Sequence, residues 1–132
     1  MSDPADVSAW VRKAEHDLLA VDAISTVDDP PWDIVVFHAQ QAAEKLLKAL
    51  LVSRGQQPPK IHDLTRLLTI CLAHAPELAA FADDFVFLSP LAVLSRYPGD
   101  EPDLPREDAQ RGVEIARRVR EVILGRLQVA GQ

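Results

Sequence analysis

Hydrophobic residues recur at helical spacing in five segments of the chain, and most of these segments are separated by breaks that contain proline. No segment shows the sustained two-residue alternation that is typical of half-buried strands. The pattern therefore predicts an all-α fold, an up-and-down bundle of four to five helices, in a single domain over residues 1–132. The predicted helices cover approximately residues 6–21, 32–53, 62–74, 76–88 and 107–127.

Local signals indicate where several of these helices begin and end. Gly55 is a suitable residue just after the second helix, and Asp63 suits the N-cap or first turn of the third. Pro76 favours the first turn of a fourth helix. Ser89-Pro90 predicts a point at which that helix is interrupted or restarts.

Composition adds three constraints. The chain is 48% hydrophobic but only 5% aromatic, so its core is built from small aliphatic side chains, which favours helices. The one cysteine, Cys71, excludes an internal disulfide and any multi-thiolate zinc site, and its apolar helical context predicts a buried, inert thiol. The four histidines lack a standard metal-site spacing, so we expect neither a metal nor a cofactor.

The distribution of charge leaves two alternatives. The net charge of −6 argues against broad nucleic-acid binding. Residues 3–33 hold eight acids and two bases, whereas residues 106–126 hold six arginines and four acids. The arginines form either a basic patch for an anionic ligand or partners for an acidic first helix, and we favour the second interpretation.

No apolar run approaches the length of a membrane span, and the N-terminus is acidic. The sequence therefore predicts a soluble cytoplasmic protein without a membrane association.

The second predicted helix has an unusual polar side. Opposite its apolar stripe lies an arc of about 80°. An ordinary solvated helix face would consist mostly of Glu, Lys and Arg, and this arc does not. It holds His38, Gln41, Lys45 and Lys48, flanked by Phe37 and Val52. Three interpretations remain open: a homodimer seam, a ligand pocket, and plain solvated surface. In a seam, Phe37, His38, Gln41 and Val52 would meet a second copy; in a pocket, Lys45 would contact a phosphate and Gln41 a base or ribose.

Arg96 and Tyr97 form a second candidate site. Tyr97 is the single tyrosine of the chain and precedes Pro98, in a ten-residue segment with three prolines. An arginine beside a tyrosine is typical of ring stacking and phosphate contact. The same residues would also fit the end of a helix with a buried tyrosine ring, and both interpretations stay open.

Several common catalytic patterns are absent from the sequence. There is no glycine-rich phosphate loop, no His-Glu-x-x-His pair and no serine nucleophile elbow. His38 alone could serve as a general base, although a single histidine on a helix is more often structural.

The second helix and the segment around Arg96 and Tyr97 resemble those of the HEPN family, which is named for nucleotide binding in higher eukaryotes and prokaryotes. The central likeness is the run Phe37-His38-Ala39-Gln40-Gln41-Ala42-Ala43-Glu44-Lys45-Leu46-Leu47-Lys48-Ala49-Leu50-Leu51, supported by residues 10–18, Trp32, Gly55, Pro58-Pro59, His62-Asp63-Leu64 and Arg96-Tyr97-Pro98. The resemblance implies a five-helix bundle that usually dimerises and often acts beside a separate minimal nucleotidyltransferase subunit, frequently as a toxin–antitoxin pair. It also implies a nucleotide- or partner-binding surface lined by His38, Gln41, Lys45 and Lys48. Arg96 and Tyr97 join these candidate binding residues because of their own stacking and phosphate chemistry.

Another branch of the family resembles ribonucleases that carry an arginine and a histidine, with four to six residues between them, near the start of the last helix. Here no histidine follows His74, and no arginine–histidine pair upstream has that spacing. We therefore assign no catalytic residue, and our leading hypothesis is a non-catalytic, homodimeric binding module. A metal-independent ribonuclease toxin with a composite site and a purely structural homo-oligomer are the alternatives.

Overall fold

The computed structural model describes residues 4–94 and 104–130, and within these ranges the chain is entirely helical apart from its connections. This architecture confirms the all-α prediction and its five helices. The elements are α1 Pro4–Ile24, α2 Trp32–Ser53, α3 Leu64–Cys71, a 3-10 helix Pro76–Phe81, α4 Ala82–Leu94 and α5 Arg106–Ala130.

Helix α2 is the centre of the bundle. It packs most extensively against α1 and α5, and it also contacts α3 and α4. Because neighbours surround it, α2 buries polar side chains as well as its apolar stripe: Gln40, Glu44 and Lys48 are all 5% exposed or less. The polar arc of α2 is therefore not an outer face along its whole length, which corrects the sequence interpretation of that side.

The ends of α2 and α3 follow the local signals in the sequence. Gly55 takes a left-handed conformation with φ of +77°, and its N–H donates to Val52 O while the N–H of Gln56 donates to Leu51 O. This pair of bonds is the Schellman arrangement that terminates helices at glycine. At the start of α3, the Asp63 carboxylate accepts from the backbone N–H of Thr65 at 2.9 Å, which confirms the predicted N-cap.

Helix α4 departs from the prediction at Ser89-Pro90. It continues through Pro90 to Leu94 instead of ending there. A proline inside a helix removes one hydrogen bond and crowds the preceding turn, but the fully buried side chains of Phe85 and Leu88 fix α4 in the core. The Ser89 hydroxyl also accepts from the N–H of Leu64 at 3.3 Å, which ties α4 to the start of α3.

The acidic first helix and the basic last helix are paired, as favoured from the sequence. Arg120 makes a two-pronged contact with the Glu15 carboxylate, and this hydrogen bonding raises the pKa of Arg120. Arg117 likewise contacts Asp22 of α1. The other arginines of α5 have partners too: Arg111 and Arg118 lie near Asp84, Arg126 pairs with Glu77, and Arg106 lies over the Trp32 ring.

The single cysteine is part of the core. Cys71 is fully buried, its thiol lies 3.5 Å from the Leu47 carbonyl, and desolvation raises its pKa to about 12. A thiol held in its protonated form is a poor nucleophile, so the inert role predicted for Cys71 is confirmed by its surroundings. None of the described helices is both long enough and apolar enough to cross a membrane.

The Asp63 cap leads to a testable prediction. Hydrogen bonds from the Thr65 side chain and backbone lower the pKa of Asp63, so the ionised form is favoured in the folded state. Its stabilisation is complete above the unfolded-state pKa of about 4 and is lost as the pH falls through the lower folded pKa. We expect Asp63→Ala to lower the free energy of unfolding by about 1 kcal/mol at pH 7.

Urea titrations at pH 7 and pH 3 measure this effect. Asp63→Asn is the matched control, since asparagine also caps helices but does not titrate. It should keep most of the stability at pH 7 and show a smaller loss between the two pH values than the parent protein. If the free energy of unfolding depends on pH equally in the parent and Asp63→Asn proteins, the ionised Asp63 carboxylate is not the stabilising cap.

Candidate functional site

A buried carboxylate of α1 organises two of the predicted site residues of α2. Asp17 is only 7% exposed, and its Oδ1 lies 2.9 Å from His38 Nδ1. Its Oδ2 accepts from Lys45 Nζ at 2.6 Å. These three residues form the Asp17 cluster, in which one carboxylate fixes both basic side chains.

The outer parts of the two basic side chains remain accessible. The side chains of His38 and Lys45 are 28% and 24% exposed, whereas that of Asp17 is 10% exposed. An ionised carboxylate can only accept hydrogen bonds, so its contact places a proton on His38 Nδ1 and leaves Nε2 as the second functional atom of the ring. The Asp17 cluster thus holds an imidazole and an ammonium group in fixed positions at the edge of the α1–α2 contact.

A second polar group lies further along α2. The Glu44 Oε2 atom is 3.2 Å from Lys48 Nζ and 3.0 Å from His62 Nδ1, and the Gln40 amide donates to the His62 carbonyl at 3.2 Å. Lys48 Nζ also lies 5.7 Å from the centroid of the Trp10 ring. We call Gln40, Glu44, Lys48 and His62 the Glu44 cluster.

Burial separates the Glu44 cluster from the Asp17 cluster. The side chains of Glu44 and Lys48 are 4% and 6% exposed, so they form a charge pair within the bundle, and only His62, with 77% of its side chain exposed, is open to solvent. Glu44 Oε1 is buried and has no hydrogen-bond partner among the described residues. Lys48 is thus held inside the protein, which makes it a structural cation more than a ligand-binding one.

Gln41 contacts the Glu44 cluster. Its amide donates to the side-chain oxygen of Gln40 at 3.0 Å, and the residue is half-buried. On the next turn of α2 lies Lys45 of the Asp17 cluster, so Gln41 stands between the two groups.

The remaining predicted residues occupy different environments. Phe37 is half-buried, and its ring meets that of His38 edge-on at 5.4 Å between centroids. Val52 is 8% exposed within the single chain, so little of its side chain is available to a second copy. The dimer seam of Phe37, His38, Gln41 and Val52 stays a prediction. Arg96 and Tyr97 lie outside the described residues.

Sequence reasoning missed the two carboxylates at the centres of the clusters. Asp17 falls at helical spacing from Ala14 and Val21, on the buried side of α1, and an acid within an apolar stripe is a signal of a buried partner. Glu44 and Lys48 are four residues apart, the spacing of a helical ion pair. In both cases the sequence contains the signal, but the partner on another element is visible only in the fold.

Comparison with known proteins gives a consistent result. The family model described as HEPN domain matches residues 7–127. A crystal structure of an archaeal HEPN homologue is similar to this chain with a TM-score of 0.70 and 26% sequence identity, over 92% of this chain and 97% of the other. A search of curated proteins found no match.

Proposed function

The chain belongs to the HEPN domain family, and we propose that it is a binding module that holds a nucleotide phosphate at the Asp17 cluster. The observation that carries this proposal is the pair of partly exposed basic side chains, His38 and Lys45, fixed by one buried carboxylate. Groups that are already positioned lose less freedom on binding than mobile ones, so a preorganised pair favours a ligand.

The chemistry of the cluster fits a phosphate. Lys45 offers an ammonium group to the phosphate, and the outer ring nitrogen of His38 lies in the same cluster, where it can hydrogen-bond to a ligand. Gln41 lies between them on the sequence and presents an amide that can hydrogen-bond to a base or a ribose. The Asp17 charge compensates one cation, so the site favours a small anion over a polyanionic nucleic acid.

We also propose the assembly implied by the family resemblance. In it the chain is a homodimeric, cytoplasmic accessory subunit of a separate minimal nucleotidyltransferase, as in a toxin–antitoxin pair. The half-buried ring of Phe37 beside His38 supports a contact with another chain at the same edge, because large aromatic side chains are enriched in interfaces.

A second candidate function is supported by the orientation of His38. An imidazole whose Nδ1 is held by a buried carboxylate has its Nε2 available to move protons, as in metal-independent ribonucleases of this family. Lys45 would then support the charge of the scissile phosphate. This candidate ranks second because the arginine–histidine spacing of the ribonuclease branch is absent from the sequence.

One experiment separates these functions. We expect isothermal titration of the protein with a set of nucleoside mono-, di- and triphosphates to give saturable binding, and Lys45→Met to weaken it by about ten-fold or more because a charge-assisted contact is lost. Lys13→Met, which alters an exposed lysine of α1, is the matched control and should bind like the parent protein.

The same preparations are incubated with single-stranded RNA in the presence of a chelator. If the parent protein cleaves RNA, and this cleavage is lost in His38→Ala but retained in His62→Ala, the result would contradict the binding module and support the ribonuclease. An absence of both nucleotide binding and cleavage, in protein whose circular dichroism shows a folded bundle, would rule out both candidates and leave the structural homo-oligomer.

A further inference from the structure

Helix α1 is acidic in sequence, but three of its acids are turned toward basic side chains of other helices. Glu15 and Asp22 pair with arginines of α5, and Asp17 lies between His38 and Lys45 of α2. The negative charge in the middle of α1 is therefore compensated within the bundle, and the outer face of the helix has a different composition.

The outer face of α1 is basic in its first half. Arg12, Lys13 and His16 are all exposed, and none of them makes an ion pair with another residue that the structure describes. The chain as a whole has a net charge of −6, so unpaired bases within two turns of one helix create a local positive potential on an otherwise acidic protein.

An apolar half follows on the same face. Leu19 is 66% exposed, more than any other large hydrophobic residue in the described part of the chain. Arg12, His16, Leu19 and the exposed Ala23 fall within about 60° of one another around the helix, at a spacing of three or four residues. We call these four residues the outer stripe of α1. It is about 16 Å long, or three helical turns.

A single exposed leucine is ordinary at a protein surface, but a leucine that continues a row of unpaired bases makes a surface with two chemical halves. From this combination we infer that the outer stripe of α1 docks an acidic amphipathic helix of a partner protein. Carboxylates of that helix lie near Arg12 and His16, and an apolar side chain covers Leu19. Ala23 has a small side chain, which allows the two helices to approach closely.

The length and position of the stripe define the kind of contact. A three-turn helix buries less than about 1,000 Å² in total, which is the class of weak and transient interfaces. Asp17 points from α1 toward α2, whereas the outer stripe points away from the bundle, so the two surfaces are separate. The inference does not rest on the nucleotide binding proposed for the Asp17 cluster.

The composition of the stripe favours a protein over other anionic partners. Nucleic acids are held by many phosphate contacts, and a chain of net charge −6 repels a long polyanion. Anionic membranes attract clusters of about four to eight lysines and arginines, more than this face holds. A short helix with a few carboxylates and one apolar anchor requires only the groups that the outer stripe presents.

Site-specific photocrosslinking in the host cells tests for such a partner. The photoreactive amino acid p-benzoylphenylalanine replaces Ala23 in one protein and, as the control, Val86 of α4, which is 64% exposed, in another. After illumination, the captured peptide is identified by mass spectrometry. We expect the probe at position 23 to capture a segment with several carboxylates at helical spacing and an apolar residue one or two turns away. The probe at position 86 should not capture this segment.

A synthetic peptide of the captured sequence then measures the contacts by fluorescence anisotropy. Leu19→Ser removes the apolar contact and should weaken binding by about ten-fold, whereas Val86→Ser, at a residue of similar exposure, should not weaken it. Arg12→Glu should weaken binding by about five-fold or more, whereas Arg66→Glu, at an exposed arginine of α3, should not. A peptide in which the facing carboxylate is replaced by lysine should restore binding to the Arg12→Glu protein, which only a direct contact explains.

Other outcomes overturn the inference. If the probe at position 23 captures no protein, or captures a second copy of this chain, the stripe does not dock the proposed helix. Equal losses in Leu19→Ser and Val86→Ser, or in Arg12→Glu and Arg66→Glu, would show that binding is nonspecific. If the parent protein sediments with phosphatidylserine vesicles or is retained on single-stranded RNA, and Arg12→Glu abolishes this, the stripe belongs to a membrane or a nucleic acid instead. Circular dichroism checks that each variant is folded.

Discussion

Replacing Glu44 with alanine is expected to lower the free energy of unfolding by about 3–5 kcal/mol, the usual cost of removing one partner of a buried charge pair. The Lys48 side chain is only 6% exposed, and its Nζ has the Glu44 carboxylate 3.2 Å away. Without Glu44, the lysine either stays charged in an apolar environment or the bundle opens to admit water. The neighbouring Trp10 ring, 5.7 Å from Nζ, compensates a small part of this cost.

The control for Glu44→Ala is Glu77→Ala, because Glu77 also pairs with a basic side chain but lies at the protein surface. Glu77 contacts Arg126 at 2.6 Å, but the side chains are 43% and 36% exposed, so Glu77→Ala should cost less than about 1 kcal/mol. Urea unfolding of the two variants measures the difference. A loss in Glu44→Ala no larger than that in Glu77→Ala would show that the Glu44–Lys48 pair is not buried in solution.

A double variant tests the mechanism of this loss. In Glu44→Leu combined with Lys48→Met, both charges are replaced by apolar side chains of similar volume, so no unpaired charge remains. Such replacements of buried ion pairs are often neutral or stabilising. We expect the double variant to recover most of the stability lost in Glu44→Ala, and a double variant as unstable as Glu44→Ala would point instead to the contact between Glu44 and His62.

The features that the sequence predicts correctly are those determined by a few neighbouring residues. The bounds of α2, the Asp63 cap and the left-handed Gly55 all depend on contacts within about five positions of the chain. The pairing of α1 with α5 was predictable as well, because a net acidic helix and a net basic helix in one bundle attract each other wherever they meet.

The features that the sequence does not predict depend on which element covers which face. A helical projection of α2 places His38, Lys45 and Lys48 on one arc, but it does not show that α1 brings Asp17 to the first two and Trp10 to the third. The surface depression lined by Asp22, Trp32 and Arg117 likewise combines three segments that are far apart in the chain. At Pro90 the local rule fails for the same reason, since core packing of α4 outweighs the preference of proline for a helix end.

The close packing of α5 on the rest of the bundle leads to the second prediction of large effect. Gly112 of α5 is buried, and a Cβ atom at this position would lie 3.1 Å from Leu88 Cδ1 of α4 and 3.1 Å from Val36 Cγ2 of α2. The absence of a side chain therefore allows three helices to meet at one point. Gly112→Leu should lower the free energy of unfolding by about 3 kcal/mol, because the added methyl groups force these helices apart.

A second glycine of the same helix is the matched control. At Gly125 a Cβ atom would have no neighbour within 4 Å, so Gly125→Leu introduces no clash and gains helix propensity. It should raise the free energy of unfolding by about 0.5–1 kcal/mol, since glycine is the poorer helix former by that amount. Opposite signs for the two substitutions, measured by urea unfolding, would establish close packing at Gly112, and a stabilising Gly112→Leu would contradict it.

The alanine variants at the same two positions separate strain from propensity. Gly112→Ala and Gly125→Ala gain the same preference for helix, about 1 kcal/mol, so the difference between their unfolding free energies reports the crowding at Gly112 alone. If Leu88 and Val36 shift by a few tenths of an ångström at little cost, the two variants will be similar; if they are fixed by the core, Gly112→Ala will be the less stable. Since both neighbours are fully buried among other side chains, we expect the second result.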